Sequence, residues 1–132
     1  MEHTALIYTM VIMSAADSEM DDAELGVIGQ VVQTLPAFKG FDPDLLPRIA
    51  EDCADLIGTD GGLETIIKLV KQSLPARLRE TAYALACDVA AADGKVSEEE
   101  IRLLELIRDG LDIDRLVAAA IERGARAHFQ DV

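Results

Sequence analysis

One helix ends and another begins within residues 91–101, which read Ala-Ala-Asp-Gly-Lys-Val-Ser-Glu-Glu-Glu-Ile. Asp93-Gly94 is a turn signal, because glycine readily adopts the left-handed conformation that ends many helices. Ser97 is a good N-cap, and Glu100, three residues later, completes the pattern of a capping box. This stretch therefore predicts two helices joined by a tight corner, which we call the second corner.

Glycines and prolines divide the rest of the chain into segments whose apolar residues recur at helical spacing. The sequence therefore predicts an all-α fold, a compact bundle of about seven helices. We expect the helices at about residues 4–16, 21–35, 44–57, 63–74, 76–92 and 98–108, and a last one after Asp112 or Asp114, followed by a frayed tail over 124–132.

The first and fifth of these helices should be the most buried. Apolar residues cover most of the circumference of the first helix, and residues 82–92 of the fifth are small or apolar apart from Asp88. Other helices show one apolar face each. The faces expected to point inward include Leu25, Ile28, Val31, Val32 and Leu35 on the second helix, Ile101, Leu104 and Ile107 on the sixth, and Leu116, Val117, Ala120 and Ile121 on the last.

The composition agrees with a helical fold and limits the classes of partner. Half of the 132 residues are hydrophobic, only 4% are aromatic and none is Trp, which favours helices over a β-sandwich. The length suits a single domain over 1–132. The formal net charge of −13 repels nucleic acid and anionic membranes, and it suits cations or basic protein partners. An acidic surface that only keeps the protein soluble explains the charge equally well.

The chain contains an internal repeat. A shift of 76 residues places Ala15-Ala16-Asp17 on Ala91-Ala92-Asp93 and Glu24 on Glu100. We call residues 15–25 the first corner. The repeat halves, about 4–46 and 80–117, predict a pseudo-two-fold arrangement of helical hairpins. Chance similarity between two alanine-rich acidic hairpins is the alternative.

The cysteines and the N-terminal residues suit a cytoplasmic protein. Cys53 and Cys87 lie far apart inside apolar patterns, which indicates two buried thiols in a reducing compartment. A disulfide between them is the alternative. The apolar run over residues 5–13 is too short to span a membrane. Its leader contains Glu2 and no Lys or Arg, so it makes a poor signal peptide.

Both corners offer carboxylates that suit divalent cations. Asp17 with Glu24, and Asp93 with Glu100, each join the end of one helix to the start of the next. Oxygen ligands of this kind favour Ca²⁺, Mg²⁺ or Mn²⁺. The second corner is not an EF-hand, because residues 89 and 91 at two ligand positions are apolar. Capping and turn formation account for the same four residues without any metal.

Catalysis has little support in the sequence. His3 and His128 lie near the ends of the chain, and neither has a nucleophilic residue at a spacing that would indicate a catalytic pair. There is no Glu-x-x-His di-iron signature and no glycine-rich phosphate loop. Lys and Arg are scattered and form no basic stripe for nucleic acid. The sequence therefore predicts a protein that is not an enzyme.

The corner pattern resembles the TerB-like family, the helical proteins of bacterial tellurite-resistance clusters and their relatives. The residues that carry the resemblance are 91–100, their weaker copy at 15–24, residues 40–43 and the acidic segment 112–114. The similarity covers roughly 4–117. The first corner departs from the family pattern, because Ser18 stands where the family usually has glycine.

The resemblance implies an all-helical, non-enzymatic interaction module with a proposed role in metal-ion or stress sensing. Two hypotheses follow. In the first, divalent cations bind at Asp17, Glu24, Asp93 and Glu100 and stiffen the hairpins. In the second, the chain is a protein-interaction or co-chaperone-associated domain without a metal site, since a related domain occurs in a membrane-anchored DnaJ-like co-chaperone. Its partners would be proteins, basic or membrane-associated, with no nucleic acid and no membrane insertion.

Overall fold

The computed structural model of the chain describes residues 1–16, 22–92, 94 and 96–132, with the backbone alone at 22 and 23. Over these residues the fold is all-helical and contains no strand, as predicted. The helices are α1 (Glu2–Ser14), α2 (Asp22–Thr34), α3 (Leu46–Ile57), α4 (Gly62–Ser73), α5 (Ala76–Ala91), α6 (Glu98–Gly110) and α7 (Arg115–His128). Two short 3₁₀ turns, Pro36–Phe38 and Pro43–Leu45, lie between α2 and α3.

Helix α1 forms the centre of the bundle. Every residue from Ala5 to Ser14 is buried, and the helix packs against α5, α3 and α4 and also contacts α2 and α6. Its two buried hydroxyls are satisfied within the helix, because Thr9 donates to the carbonyl of Ala5 at 2.9 Å and Ser14 to that of Met10 at 3.3 Å. An apolar helix surrounded by neighbours needs no polar face.

Helix α5 is the second buried element and packs against both α1 and α7. Ala82, Ala86 and Ala90 recur every four residues along it and are all buried. Small side chains in such a row let neighbouring helices approach closely. The prediction that the first and fifth helices are the most buried is confirmed.

The predicted inner faces of α2 and α6 are confirmed at Ile28, Val32 and Ile107, which are buried, but are wrong at the start of each helix. Leu25 and Ile101, both predicted to face the core, are 47% and 49% exposed, whereas the preceding Glu24 and Glu100 are each only 3% exposed. Successive helical residues point about 100° apart, so burying the glutamate turns the next residue outward. The apolar residues buried on these helices are Ile28, Val32, Leu103 and Ile107.

Helix α7 differs from its prediction in two ways. Leu116 and Ala120, both predicted to face the core, are exposed, Leu116 to 82%, and the buried residues are Ala118 and Ala125. The helix also continues to His128, through the region predicted to fray. Its start is as predicted, because the Asp114 carboxylate accepts hydrogen bonds from the backbone N–H groups of Leu116 and Val117. Packing of the alanine face against α5 explains both the extension and the exposure of Leu116.

The structure also bears on the predictions that the two cysteines are buried and that no helix spans a membrane. Cys53 and Cys87 are both free and buried, and burial raises the pKa of each thiol to about 12. They are therefore protonated packing residues at neutral pH. Among the described residues, none of the helices is both long and apolar enough to cross a membrane.

Candidate cation site at two helical corners

Gly94 and the start of α6 have the backbone that the sequence of the second corner predicts. Gly94 has a φ of 79°, in the left-handed region, and its N–H donates to the carbonyl of Ala91 at 3.0 Å. The chain then turns into α6 through a complete capping box. The Ser97 hydroxyl accepts from the backbone N–H of Glu100 at 3.1 Å, and the Glu100 carboxylate accepts from the backbone N–H of Ser97 at 3.0 Å.

The capping box also explains why Glu100 points inward. Its side chain folds back along the start of α6 to reach Ser97, and it is buried in doing so. The carboxylate lies at the positive end of the helix dipole, which stabilises negative charge. Glu98 and Glu99 in the same first turn are exposed. One of the three consecutive glutamates is thus held inside the corner while two remain on the surface.

The first corner places Glu24 at the corresponding position. A shift of 76 residues carries the bounds of α2, Asp22–Thr34, onto those of α6, Glu98–Gly110. Glu24 and Glu100 are each the third residue of their helix and are equally buried. This match extends the sequence repeat to helix boundaries and burial, while the pseudo-two-fold arrangement of the whole chain stays a prediction.

The two aspartates that complete the predicted site, Asp17 and Asp93, lie outside the described residues. Within the ranges that are described, no group of three or more His, Cys, Asp or Glu side chains is placed to hold a metal ion. The structure therefore places Glu24 and Glu100 and leaves the assembly of the four carboxylates as a prediction.

One hydrogen bond and one electrostatic interaction between α5 and α7 were not predicted from the sequence. The buried Tyr83 hydroxyl donates to Glu122 at 2.6 Å. Half-buried Asp88 has its pKa raised by burial, an effect that the nearby His128 opposes. Asp88 stands out in the sequence as the one charged residue in the apolar run 82–92, but nothing in the sequence indicates that it lies near His128.

Both histidines have structural surroundings. His3 stacks on Phe38 with ring centroids 5.5 Å apart and meets the edge of Phe41 at 5.3 Å. His128 lies in the last turn of α7, where a basic side chain complements the negative end of the helix dipole. These positions account for the two histidines by packing and electrostatics.

The fold and its corners define a small, acidic, all-helical module with two buried glutamates at equivalent helix starts. The family model described as Tellurite resistance protein TerB matches residues 3–123, nearly the whole chain. The chain therefore belongs to the TerB family and is a tellurite-resistance-related helical domain, which confirms the resemblance found in the sequence. No curated protein and no solved structure matches it.

Proposed function

We propose that this chain is a non-enzymatic, cation-responsive module of a bacterial tellurite-resistance or stress-response system. The observation that carries the proposal is the burial of Glu24 and Glu100 at the same position of two equivalent helices. Carboxylates are rarely buried unless other groups compensate their charge. Both carboxylates have partners within the protein, as the capping box shows for Glu100, and in a protein with a net charge of −13 a cation that shares their oxygens would offset part of the repulsion between acidic groups.

In this proposal each corner binds a divalent cation through carboxylate oxygens. Glu24 and Glu100 supply the inner ligands, and Asp17 and Asp93 supply ligands from the ends of the preceding helices. Ca²⁺, Mg²⁺ and Mn²⁺ are the candidate ions, because they prefer oxygen donors. A bound cation would tie one helix end to the next helix start, so binding should stiffen the hairpin and stabilise the folded state by mass action.

The free thiols support a cytoplasmic setting for this module, because disulfides are rare in reducing compartments. Its partners in that setting would be proteins, and the net charge favours basic ones. A protein-interaction domain without a metal site is the alternative function, and the following experiment separates the two.

The test is calorimetric titration and thermal unfolding of the full chain with CaCl₂, MgCl₂ or MnCl₂, comparing the wild type with Glu100→Gln and Glu24→Gln. Gln at position 100 can still accept from the N–H of Ser97, so the cap survives while the charge is lost. Without cations, the change should lower the free energy of unfolding by only about 0.3–1 kcal/mol, from the helix dipole. With cations, the wild type should gain thermal stability and both variants distinctly less.

Glu105→Gln is the matched control, because Glu105 lies on α6 and is exposed. It removes the same charge from the same helix away from the corner. If all variants and the wild type gain equal stability, the cations only screen the net charge of −13. That result would reject the corner sites and leave the capping motif as a structural feature.

A further inference from the structure

A groove opens between α6 and α7, with α5 as its floor. It encloses about 560 Å³, and Cys87, Ala90 and Ala91 of α5 line its base. Helices α6 and α7 each pack against α5, but within the described residues they make few contacts with one another. Three helices of a bundle thus surround a place that a fourth helix would occupy. We call this feature the α6–α7 groove.

The two walls present the same helical pattern. On α6 the lining residues are Ile101, Leu104, Glu105 and Arg108, and on α7 and its C-cap they are Glu122, Ala125, Arg126 and Phe129. Both sets fall at positions i, i+3, i+4 and i+7, which form one face of a helix. Seven residues of helix rise about 10 Å, so each wall is about two turns long.

The end of the groove nearest the second corner is apolar and open. Ile101 is 49% exposed and Val96, just before the α6 cap, is 45% exposed. Half-buried Phe129 faces the same space from α7. Large apolar side chains left together at the mouth of a groove mark a binding surface more often than isolated ones do.

The charges around the groove favour a basic occupant. Glu105, Glu122 and Asp131 line it. Arg108 and Arg126 also line the groove, and Arg108 pairs with Asp109 at 3.2 Å, so the acidic side chains of the lining outnumber the basic ones by three to two in a protein whose net charge is −13. A second copy of this chain would bring another −13 of charge, which opposes self-association.

We propose that the α6–α7 groove binds a basic amphipathic helix of a partner protein, two to three turns long. The apolar face of that helix would cover Val96, Ile101, Leu104 and Phe129 and complete a four-helix arrangement over α5. Its Lys or Arg residues would lie toward the acidic side chains at the rim. This is the helix-in-groove mode of recognition, in which anchors are spaced at i, i+3, i+4 and i+7. The proposal stands independently of the cation sites.

The probe is a fluorescein-labelled synthetic peptide of about 18 residues, with Leu on one helical face and Lys elsewhere; it is longer than the two to three turns that the groove would contact, because shorter isolated helices are only marginally stable in water. Its affinity for the full chain is measured by fluorescence anisotropy in EDTA, which keeps the outcome separate from cation binding. A peptide of the same composition with the Leu and Lys order scrambled reports attraction by charge alone. We expect the amphipathic peptide to bind more tightly than the scrambled one.

Ile101→Ser should weaken that binding about fivefold, because a half-exposed isoleucine loses its apolar contact with the peptide. Leu25→Ser is the matched control: Leu25 occupies the corresponding position on α2 and is equally exposed, but it lies outside the groove. Leu25→Ser should leave the affinity unchanged. Both residues are half-exposed, so neither change should unfold the protein, and circular dichroism checks this.

Three outcomes would overturn the proposal. The first is no binding of the amphipathic peptide at millimolar concentration. The second is equal affinity for the scrambled peptide, or equal weakening by Ile101→Ser and Leu25→Ser, which would mean diffuse attraction to the acidic surface. The third is a concentration-dependent dimer, seen by sedimentation, that Ile101→Ser abolishes, because the groove would then bind a second copy.

Discussion

Replacing Arg79 should loosen the junction between α4 and α5 more than any other single arginine change on α5. Its guanidinium caps the end of α4: Nε donates to the carbonyls of Lys71 at 3.2 Å and Leu74 at 3.0 Å, and Nη2 donates to Lys71 at 2.9 Å. The last carbonyls of a helix have no partner within the helix, so Arg79 supplies what the local backbone cannot.

The expected magnitude follows from those contacts. Hydrogen bonds from a charged donor contribute about 1.5–3 kcal/mol, and a cation at a helix C-terminus adds roughly 0.3–1 kcal/mol. Arg79 is only partly buried, and water can replace it at the α4 carbonyls. We therefore expect Arg79→Ala to lower the free energy of unfolding by about 2 kcal/mol, measured by urea denaturation with circular dichroism.

Two further variants make this prediction specific. Arg79→Lys keeps the charge but loses the planar fork that reaches both carbonyls, so it should recover less than half of the loss. Arg77→Ala is the control, because Arg77 is exposed on the same helix and should change stability by less than about 0.5 kcal/mol. Equal destabilisation by Arg77→Ala and Arg79→Ala would refute the capping role.

Two other substitutions test the core and its electrostatics. Ala86→Leu places a large side chain on the fully buried face of α5 and should destabilise the protein by about 1–3 kcal/mol in urea denaturation, whereas Ala119→Leu on the exposed face of α7 should not. Asp88→Asn should stabilise the protein at neutral pH, because burial raises the pKa of Asp88 in the folded state. The extra stability of Asp88→Asn over the wild type should be absent below pH 3.8, the ordinary pKa of the group, and should grow as the pH rises through the raised pKa and then level off. Thermal unfolding at a series of pH values measures it, and Asp55→Asn, at an exposed aspartate, is the control. An advantage equal to that of Asp55→Asn would reflect only the reduced net charge.

The helices could be predicted because their ends are specified locally. The capping box at Ser97, the Asp114 cap and the left-handed Gly94 all act within four residues of the boundary they set. The rotation of the helices depends instead on which neighbour each one meets. Leu116 illustrates this: its helix packs through Ala118 and Ala125, so the larger side chain stays in solvent. Hydropathy alone does not identify which face of such a helix packs against the core.

Gly110 shows a second limit of local reasoning. The sequence predicts an end of the sixth helix at about residue 108; α6 ends at Gly110, and the left-handed residue beyond it is Asp112 with a φ of 55°. A Cβ at position 110 would collide with the side chain of Ile67 on α4. Glycine is needed there for the close approach of two helices that are distant in sequence, and such a requirement has no local signature.

The candidate sites also differ in whether they depend on local sequence or on packing between helices. The corner glutamates are visible in the sequence because a capping box and a repeat mark their positions, although their burial is not. The α6–α7 groove has no sequence signal, because it arises from two helices that share α5 as a neighbour and diverge from each other. Hydropathy places its residue Ile101 in the core, whereas in the structure Ile101 lines the groove and is half-exposed.

The first turn of α6 connects the two surfaces that we propose to be functional. Glu100 points into the corner and Ile101, the next residue, points into the groove. The capping box fixes the side chain of Glu100, and because the helix is rigid it fixes the direction of Ile101 as well. On α6, which has one buried face, an orientation that centres Ile101 in the core turns Glu100 away from it. The burial of Glu100 and the exposure of Ile101 therefore have the same cause, the capping box at the start of α6.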